Sequence, residues 1–163
     1  MRAILTPGGV LTAGPLRLAA AFGRGGIRAD KREGDGATPV GVMALRRVLF
    51  RADRVPPPRA AVPREPIAPD DGWCDDPGHP DYNRMVRLPH PARHEALWRA
   101  DGLYDLIGVL GWNDAPPVRG RGSAIFLHVA SADMAPTAGC IALAGPALRG
   151  LLAAGLTEVE VVG

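Results

Sequence analysis

The stretch that decides the fold is Phe126-Leu127-His128-Val129 followed by Pro136-Thr137-Ala138-Gly139-Cys140-Ile141-Ala142-Leu143. A histidine lies near the end of the first apolar run, and a cysteine follows a turn of small residues before the second. This arrangement can bring the imidazole of His128 beside the thiol of Cys140. A thiol beside a base becomes a thiolate nucleophile, so the pair indicates covalent acyl transfer.

Both residues also have an ordinary structural interpretation. A lone cysteine in an apolar segment is usually an inert small hydrophobic residue, and a lone histidine is more often a core or surface residue than a base. Gly139 favours the catalytic interpretation, because a glycine directly before the thiol lets the backbone approach a bound carbonyl closely. The N–H groups of Gly139 and Cys140 could then form an oxyanion hole.

The composition limits the class of protein. The chain has 163 residues, of which 47% are hydrophobic, and this fits one globular domain over residues 1–163. The 19 Lys and Arg residues nearly balance the 17 Asp and Glu residues and are scattered along the chain, so we expect no nucleic-acid binding. No apolar run approaches the roughly 18 residues of a membrane span, and we expect none.

The 21 glycines and 17 prolines leave little room for long helices and favour many short strands. Two short helices are candidates, over His94 to Arg99 and over Pro146 to Ala154, the second with Gly155 as its C-terminal cap. Prolines 56 to 69 exclude that segment from a central strand. The apolar and alternating patterns predict strands over residues 2–6, 15–22, 42–51, 104–112, 123–130 and 157–162.

The start of the chain and its two cysteines bear on export and on redox state. Pro7, Gly8 and Gly9 interrupt any apolar region near the start, so we see no convincing secretion signal. With only Cys74 and Cys140, a disulfide framework is not expected. A single bridge between the two cysteines is left open, and it would silence the nucleophile.

Two further loops are rich in residues that often line sites. The glycine cluster around Gly34-Asp35-Gly36 lacks the Gly-Lys-Ser/Thr ending of a phosphate-binding loop, which excludes that function. The segment Trp73-Cys74-Asp75-Asp76-Pro77, with Tyr82-Asn83-Arg84 after it, is dense in aromatic, acidic and amide groups. By itself this second segment is equally consistent with a turn and a core tryptophan.

Taken in order, these motifs resemble the L,D-transpeptidase (YkuD-type) catalytic domain of bacterial cell-wall enzymes, over roughly Pro15 to Val162. The motifs that carry the resemblance are Gly34-Asp35-Gly36-Ala37-Thr38-Pro39-Val40-Gly41, Trp73-Cys74-Asp75-Asp76-Pro77, Tyr82-Asn83-Arg84, Gly111-Trp112-Asn113, Gly122-Ser123-Ala124-Ile125-Phe126-Leu127-His128 and Thr137-Ala138-Gly139-Cys140. The resemblance implies a mainly β fold, a sandwich or partly closed barrel with one or two short helices and the site at one end.

The resemblance also implies roles for individual residues. Cys140 would be the nucleophile, His128 its general base, and the N–H groups of Gly139 and Cys140 the oxyanion donors, with no cofactor and no metal. The substrate-binding residues would be Trp73, Asp75, Asp76, Tyr82, Asn83, Arg84, Trp112, Asn113 and Thr137. The substrates would be peptidoglycan stem peptides, the inhibitors carbapenems, and the location the periplasm or cell wall.

Three departures from the usual family pattern point to a compact branch. Ala138 stands where a second histidine is common, Ala142 stands where an arginine is common, and the span from His128 to Cys140 is short. These departures leave open how the substrate is held. They also leave open whether Ser131 or a backbone carbonyl orients His128.

In this hypothesis Cys140 takes the acyl group of a stem tetrapeptide, and terminal D-Ala leaves. The acceptor is the amine of a first-position L-Ala, which the compact branch favours, or of a third-position diaminopimelate. Asp75 or Asp76 could hold a cationic amine, and Arg84, Arg119 or Arg121 a stem carboxylate.

The same residues allow three other functions. Water as acceptor would give an L,D-carboxypeptidase, and an inactive cell-wall-binding module is a further alternative. A zinc site of Cys74, His79, Cys140 and His128 is disfavoured, because the chain has no closely spaced ligand pair.

Overall fold

The computed structural model describes all residues from 1 to 163, and it is built mainly from short strands. The strands are β1 (Arg2–Thr6), β2 (Val10–Ala13), β3 (Leu16–Ala19), β4 (Ile27–Arg28), β5 (Thr38–Pro39), β6 (Gly41–Phe50), β7 (Arg64–Pro66), β8 (Asp71–Cys74), β9 (Arg84–Arg87), β10 (His94–Ala96), β11 (Leu106–Leu110), β12 (Phe126–Val129), β13 (Ile141–Leu143) and β14 (Glu158–Val161). One helix, α1, spans Gly145–Ala153. Each of the six strands predicted above overlaps an observed strand.

The main sheet has nine strands and curls into a nearly closed barrel. Its order is β13-β12-β11-β6-β14-β1-β2-β3, with β7 added beside β6. An antiparallel bridge between Ala21, just after β3, and Ala142 in β13 joins the two ends of this order. The predicted fold class, mainly β with a partly closed barrel, is confirmed.

The helix α1 packs its apolar side onto the barrel core. Leu148, Leu151 and Leu152 are fully buried, and burying a leucine side chain stabilises a fold by about 1.5–3 kcal/mol. Pro146 lies in the first turn, where its missing N–H costs nothing, and Gly155 follows the helix at a φ of +96°. The prediction of a helix here is confirmed. No helix in the structure has the length and apolar character needed to span a membrane.

A small second sheet covers one outer face of the barrel. It has the order β10-β8-β9, and it encloses a second apolar core that includes Trp73, Phe126 and Cys140. The indole of Trp73 meets the Phe126 ring edge-on, with centroids 5.1 Å apart. Cys140 thus lies at the junction of the barrel and the covering sheet.

The prediction of a helix over His94 to Arg99 is wrong. His94 to Ala96 form β10 and pair antiparallel with β8, so that Glu95 lies opposite Trp73. The segment satisfies its backbone groups through this pairing and buries Leu97 at its end. Tertiary pairing has therefore overridden a weak local helix preference.

Candidate active site

The thiol of Cys140 is buried directly before strand β13. Its S–H donates to the carbonyl oxygen of Ala124 at 3.2 Å, and its sulfur accepts the N–H of Phe126 at 3.4 Å. Burial, and secondly the charge of Glu95, raises the pKa of the Cys140 thiol to about 12. The resting thiol is therefore protonated at neutral pH.

The imidazole of His128 is fixed by a backbone carbonyl. Its Nδ1 lies 2.8 Å from the carbonyl oxygen of Val129, and because a carbonyl only accepts, Nδ1 carries the proton and Nε2 keeps its lone pair. The Ser131 hydroxyl donates instead to Asp133 at 2.7 Å, so it does not orient His128. Burial lowers the pKa of His128, which keeps the ring neutral.

Strand pairing brings the thiol and the imidazole to one cavity of about 410 Å³. Strands β12 and β13 are parallel, and His128 pairs with Ala142, two residues after Cys140. Because side chains alternate along a strand, residues two apart face the same side, and Cys140, Ala142 and His128 all line the cavity. The small side chain at Ala142 leaves space open beside the imidazole.

The turn before the thiol depends on a glycine. Gly139 has a φ of +133°, and a Cβ atom there would lie 2.8 Å from the carbonyl oxygen of Ala37. The Thr38 hydroxyl donates to the Gly139 carbonyl at 2.8 Å and accepts the N–H of Gly23 at 2.9 Å. The glycine-rich motif around residues 34 to 39 therefore supports the nucleophile turn from behind.

We expect Gly139→Ala to destabilise the protein and to displace Cys140. The strained φ and the backbone contact together cost at least about 2 kcal/mol, which lowers the Tm by roughly 4–8 °C in a domain of this size. Thermal denaturation followed by circular dichroism measures this. Gly150→Ala is the matched control, because Gly150 lies in α1 with open space around it, and helix propensity predicts a small gain. Equal Tm values for the two variants would contradict this account of the turn.

The N–H groups of Gly139 and Cys140, which were expected to stabilise an oxyanion, differ in their hydrogen bonding. The N–H of Gly139 donates to the Thr137 hydroxyl at 3.1 Å, and that hydroxyl donates to the Cys140 carbonyl at 2.6 Å. The N–H of Cys140 has no hydrogen-bond partner within the protein. An oxyanion could therefore bind the Cys140 N–H directly but would compete with Thr137 for that of Gly139.

The cavity contains acidic and aromatic groups that the sequence did not single out. Glu95 accepts a hydrogen bond from the Tyr104 hydroxyl, and the Tyr104 ring meets the His128 ring edge-on with centroids 5.4 Å apart. Glu33 accepts hydrogen bonds from the hydroxyls of Tyr82, at 2.7 Å, and Ser123, at 2.6 Å. The sequence His94-Glu95-Ala96-Leu97 has no alternation of polar and apolar residues, so it carried no signal that could have placed Glu95 on a strand.

Of the residues predicted to bind substrate, only Asp75 and Thr137 line the cavity. Asp75 also pairs with Arg93, at 3.1 Å. The side chains that the structure does not bring to the cavity lining are Trp73, Asp76, Tyr82, Asn83, Arg84, Trp112 and Asn113, together with Arg119 and Arg121. Asp76 caps the N–H of Gly78 at 2.8 Å, as in an ordinary turn.

Asn83 instead builds the frame behind the cavity. Its Oδ1 accepts the indole N–H of Trp73 at 3.0 Å and the N–H of Ala124 at 3.1 Å. Its Nδ2 donates to the carbonyls of Trp112, at 2.9 Å, and Asn113, at 2.8 Å. Because the Ala124 carbonyl accepts the Cys140 thiol, the amide of Asn83 fixes the segment that holds the nucleophile.

The four residues weighed for a zinc site do not converge. Cys74 and His79 lie outside the cavity that holds Cys140 and His128, and both cysteines are free thiols. His79 lies beside Asp81 and His90, and Asp81 is already hydrogen bonded to His90 at 2.9 Å. The disulfide left open above does not form.

A cysteine and a neutral histidine in one cavity, where the small covering sheet meets the nearly closed β-barrel, define a candidate acyl-transfer site. The family model of the YkuD L,D-transpeptidase catalytic domain matches residues 2–161. The chain therefore belongs to the YkuD family of L,D-transpeptidase catalytic domains.

The crystal structure of Mycobacterium tuberculosis L,D-transpeptidase 1 is similar to this chain, with 12% sequence identity and a TM-score of 0.40. The similarity covers 99% of this chain and 60% of that chain, so the present chain spans about three fifths of that protein. No curated protein sequence matches the chain.

Proposed function

We propose that the protein is a peptidoglycan L,D-transpeptidase in which Cys140 is the nucleophile and His128 the general base. The observation that carries the proposal is the shared cavity, in which the thiol lies with an imidazole whose Nε2 is free to accept a proton. Membership of the YkuD family supports the same reaction class. Residues 128 and 140 thus provide the groups that acyl transfer needs.

In the first half-reaction, the Cys140 sulfur attacks the carbonyl of the third-position diamino acid of a stem tetrapeptide. His128 takes the thiol proton at Nε2 and gives it to the departing amine of D-Ala, which leaves a thioester on Cys140. A thiol pKa raised to about 12 and an imidazole pKa lowered by burial make the isolated proton transfer from Cys140 to His128 unfavourable. The proton therefore moves together with attack on the carbonyl, or after a bound substrate has changed the charge around the thiol.

The developing oxyanion would bind the N–H of Cys140, and the N–H of Gly139 once the Thr137 hydroxyl turns away. Removing one such donor typically costs about 10²–10³ in kcat. In the second half-reaction an amine of another stem attacks the thioester and the C–S bond breaks. His128 takes the proton of that amine and passes it to the departing sulfur, which restores the Cys140 thiol. The acceptor is a first-position L-Ala or a third-position diaminopimelate, and the short chain with Thr-Ala-Gly-Cys favours the first.

Peptidoglycan lies outside the cytoplasmic membrane, so this substrate places the action of the protein in the periplasm or cell wall. The cavity of about 410 Å³ that holds Cys140 and His128 is the candidate binding site for the reacting part of such a stem peptide. Carbapenems would react as mimics of the donor, since their strained lactam carbonyl meets the same thiol.

The purified protein and tetrapeptide muropeptides test the proposal directly. We expect release of D-Ala together with a cross-linked dimer, and fragmentation of this dimer by tandem mass spectrometry identifies the acceptor amine. Tripeptide without dimer would identify the L,D-carboxypeptidase alternative and overturn cross-linking as the activity. If neither tripeptide nor dimer forms, the result would favour the inactive cell-wall-binding module.

The pH profile of acylation is a separate prediction. Because burial lowers the pKa of His128, its neutral, basic form persists below pH 6.5. We therefore expect the midpoint of the acid limb of kcat/KM to lie below pH 6.5. The rate then stays level or rises towards alkaline pH, because the thiol pKa is raised. Steady-state D-Ala release between pH 4.5 and 9 measures this, and an acid limb above pH 6.5 would contradict the assigned state of His128.

A further inference from the structure

The cavity around Cys140 has an unbalanced charge. Three carboxyl groups line it, those of Glu33, Asp75 and Glu95, and Arg99 is the one cationic side chain in the lining. The Arg99 guanidinium is already bound to the carboxylate of Asp101, and Asp75 is paired with Arg93, so Glu33 and Glu95 are the two lining carboxyl groups without a cationic partner. The field inside the cavity is therefore negative, which favours a cationic ligand.

Glu95 differs from an ordinary surface carboxylate in its partners. It has no salt bridge within 4.0 Å, and its hydrogen-bond donor is the neutral hydroxyl of Tyr104. Burial raises the pKa of Glu95, and the hydrogen bond from Tyr104 opposes this rise. Buried carboxylates are normally paired with a cation, and the protein supplies Glu95 with none.

Glu95 is also electrostatically connected to the nucleophile. After burial itself, its negative charge is the largest contribution that raises the pKa of Cys140, while Lys31 acts in the opposite direction. Tyr104 links the two sides of the cavity, since it holds Glu95 by its hydroxyl and contacts the His128 ring by its edge. A cation that neutralises Glu95 would therefore favour the thiolate of Cys140.

We propose that Glu95 binds a primary ammonium group of the substrate, and that this bound cation makes the neighbouring thiol of Cys140 reactive. The chemical class is an alkylammonium close to the scissile carbonyl, such as the side-chain amine of a diamino acid or the α-amine of an acceptor peptide. That the cation belongs to a stem peptide rests on the proposed function. The coupling between Glu95 and the thiol does not depend on it.

Thiol alkylation measures this coupling without any peptide. The rate of modification of Cys140 by iodoacetamide is followed against pH by intact-mass spectrometry, in a Cys74→Ala background so that one thiol reports. We expect Glu95→Gln to shift the alkaline rise of the alkylation rate to lower pH by about one unit. At pH 8 this shift makes alkylation about tenfold faster. Glu65→Gln removes an exposed carboxylate on β7 outside the cavity, and we expect its profile to stay within a few tenths of a pH unit of the parent.

A second measurement uses the unaltered glutamate and does not depend on whether Glu95→Gln folds. Propylammonium chloride should accelerate alkylation of the parent protein several-fold at fixed ionic strength, whereas N-propylacetamide and potassium chloride should not. Glu95→Gln should lose this response. An unchanged pH profile in a folded Glu95→Gln, or no effect of propylammonium on the parent, would overturn the proposal. A protein that alkylates as expected but forms no cross-links would overturn the proposed function alone.

Discussion

Replacing Cys140 by Ala is expected to abolish release of D-Ala from stem tetrapeptides, with a fall in kcat of at least about 10⁴-fold. Loss of the nucleophile in enzymes that form an acyl intermediate costs about this much or more, because no other group can form the covalent intermediate. The cavity offers no replacement, since its other lining residues carry no thiol. Coupled detection of free D-Ala measures the rate.

Cys74→Ala is the matched control. Cys74 is buried, as Cys140 is, but it lies in β8 and does not line the cavity. We expect Cys74→Ala to lower stability by about 1–2 kcal/mol through lost packing and to keep its activity. Activity that survives Cys140→Ala, or that disappears in a folded Cys74→Ala, would show that the nucleophile has been misassigned.

Replacing His128 by Ala is expected to lower kcat/KM by about 10²–10⁴-fold, the usual contribution of a general base. The loss should be greatest near neutral pH, where the Cys140 thiol is almost wholly protonated. It should shrink as the pH approaches the thiol pKa, because hydroxide then supplies the thiolate. The rates of the variant and the parent, measured from pH 6 to 10, give this ratio.

His94→Ala is the control for the imidazole. His94 is exposed on β10 and outside the cavity, so its loss should leave the rate within about twofold. A His128→Ala variant whose rate parallels that of the parent at every pH would exclude His128 as the base. Loss of a residue with only a structural role lowers the rate by the same factor at every pH, whereas loss of the general base lowers it by a factor that changes with pH.

The fold could be predicted from the sequence because local residue patterns indicate many of its strands. Alternating or apolar runs, such as residues 104–112 and 157–162, lie between glycine and proline turns, and each contains a strand in the structure. The helix over Gly145–Ala153 has three leucines at helical spacing and a glycine after its end. The ordered motifs around His128 and Cys140 were sufficient to predict the family.

The lining of the cavity could not be predicted in the same way. Glu95 reaches the cavity because β10 pairs with β8, a contact between segments that are distant in sequence and carry no strong local signal. The aromatic and amide residues around Trp73 and Asn83 looked like binding groups. In the structure their polar atoms bond to each other and to the backbone, and they hold the Ala124 carbonyl that receives the thiol.

The departures from the common family pattern acquire a physical meaning in the cavity. With Ala142 opposite His128, that position presents no arginine to the imidazole, and Ala138 leaves the neighbouring wall small. We therefore expect recognition to depend on the carboxyl groups of Glu33, Asp75 and Glu95. This favours a substrate that presents a cation near the reacting carbonyl.

Intact-mass spectrometry after exposure to a carbapenem tests the central claim, that Cys140 forms a thioester, most directly. Opening of the lactam by a thiol adds the whole inhibitor, so the account predicts a single adduct of one inhibitor mass on the wild-type protein, located at Cys140 by peptide fragmentation. The adduct should form equally on Cys74→Ala and be absent from Cys140→Ala. No adduct on the folded wild-type protein, or the same adduct on Cys140→Ala, would contradict the account.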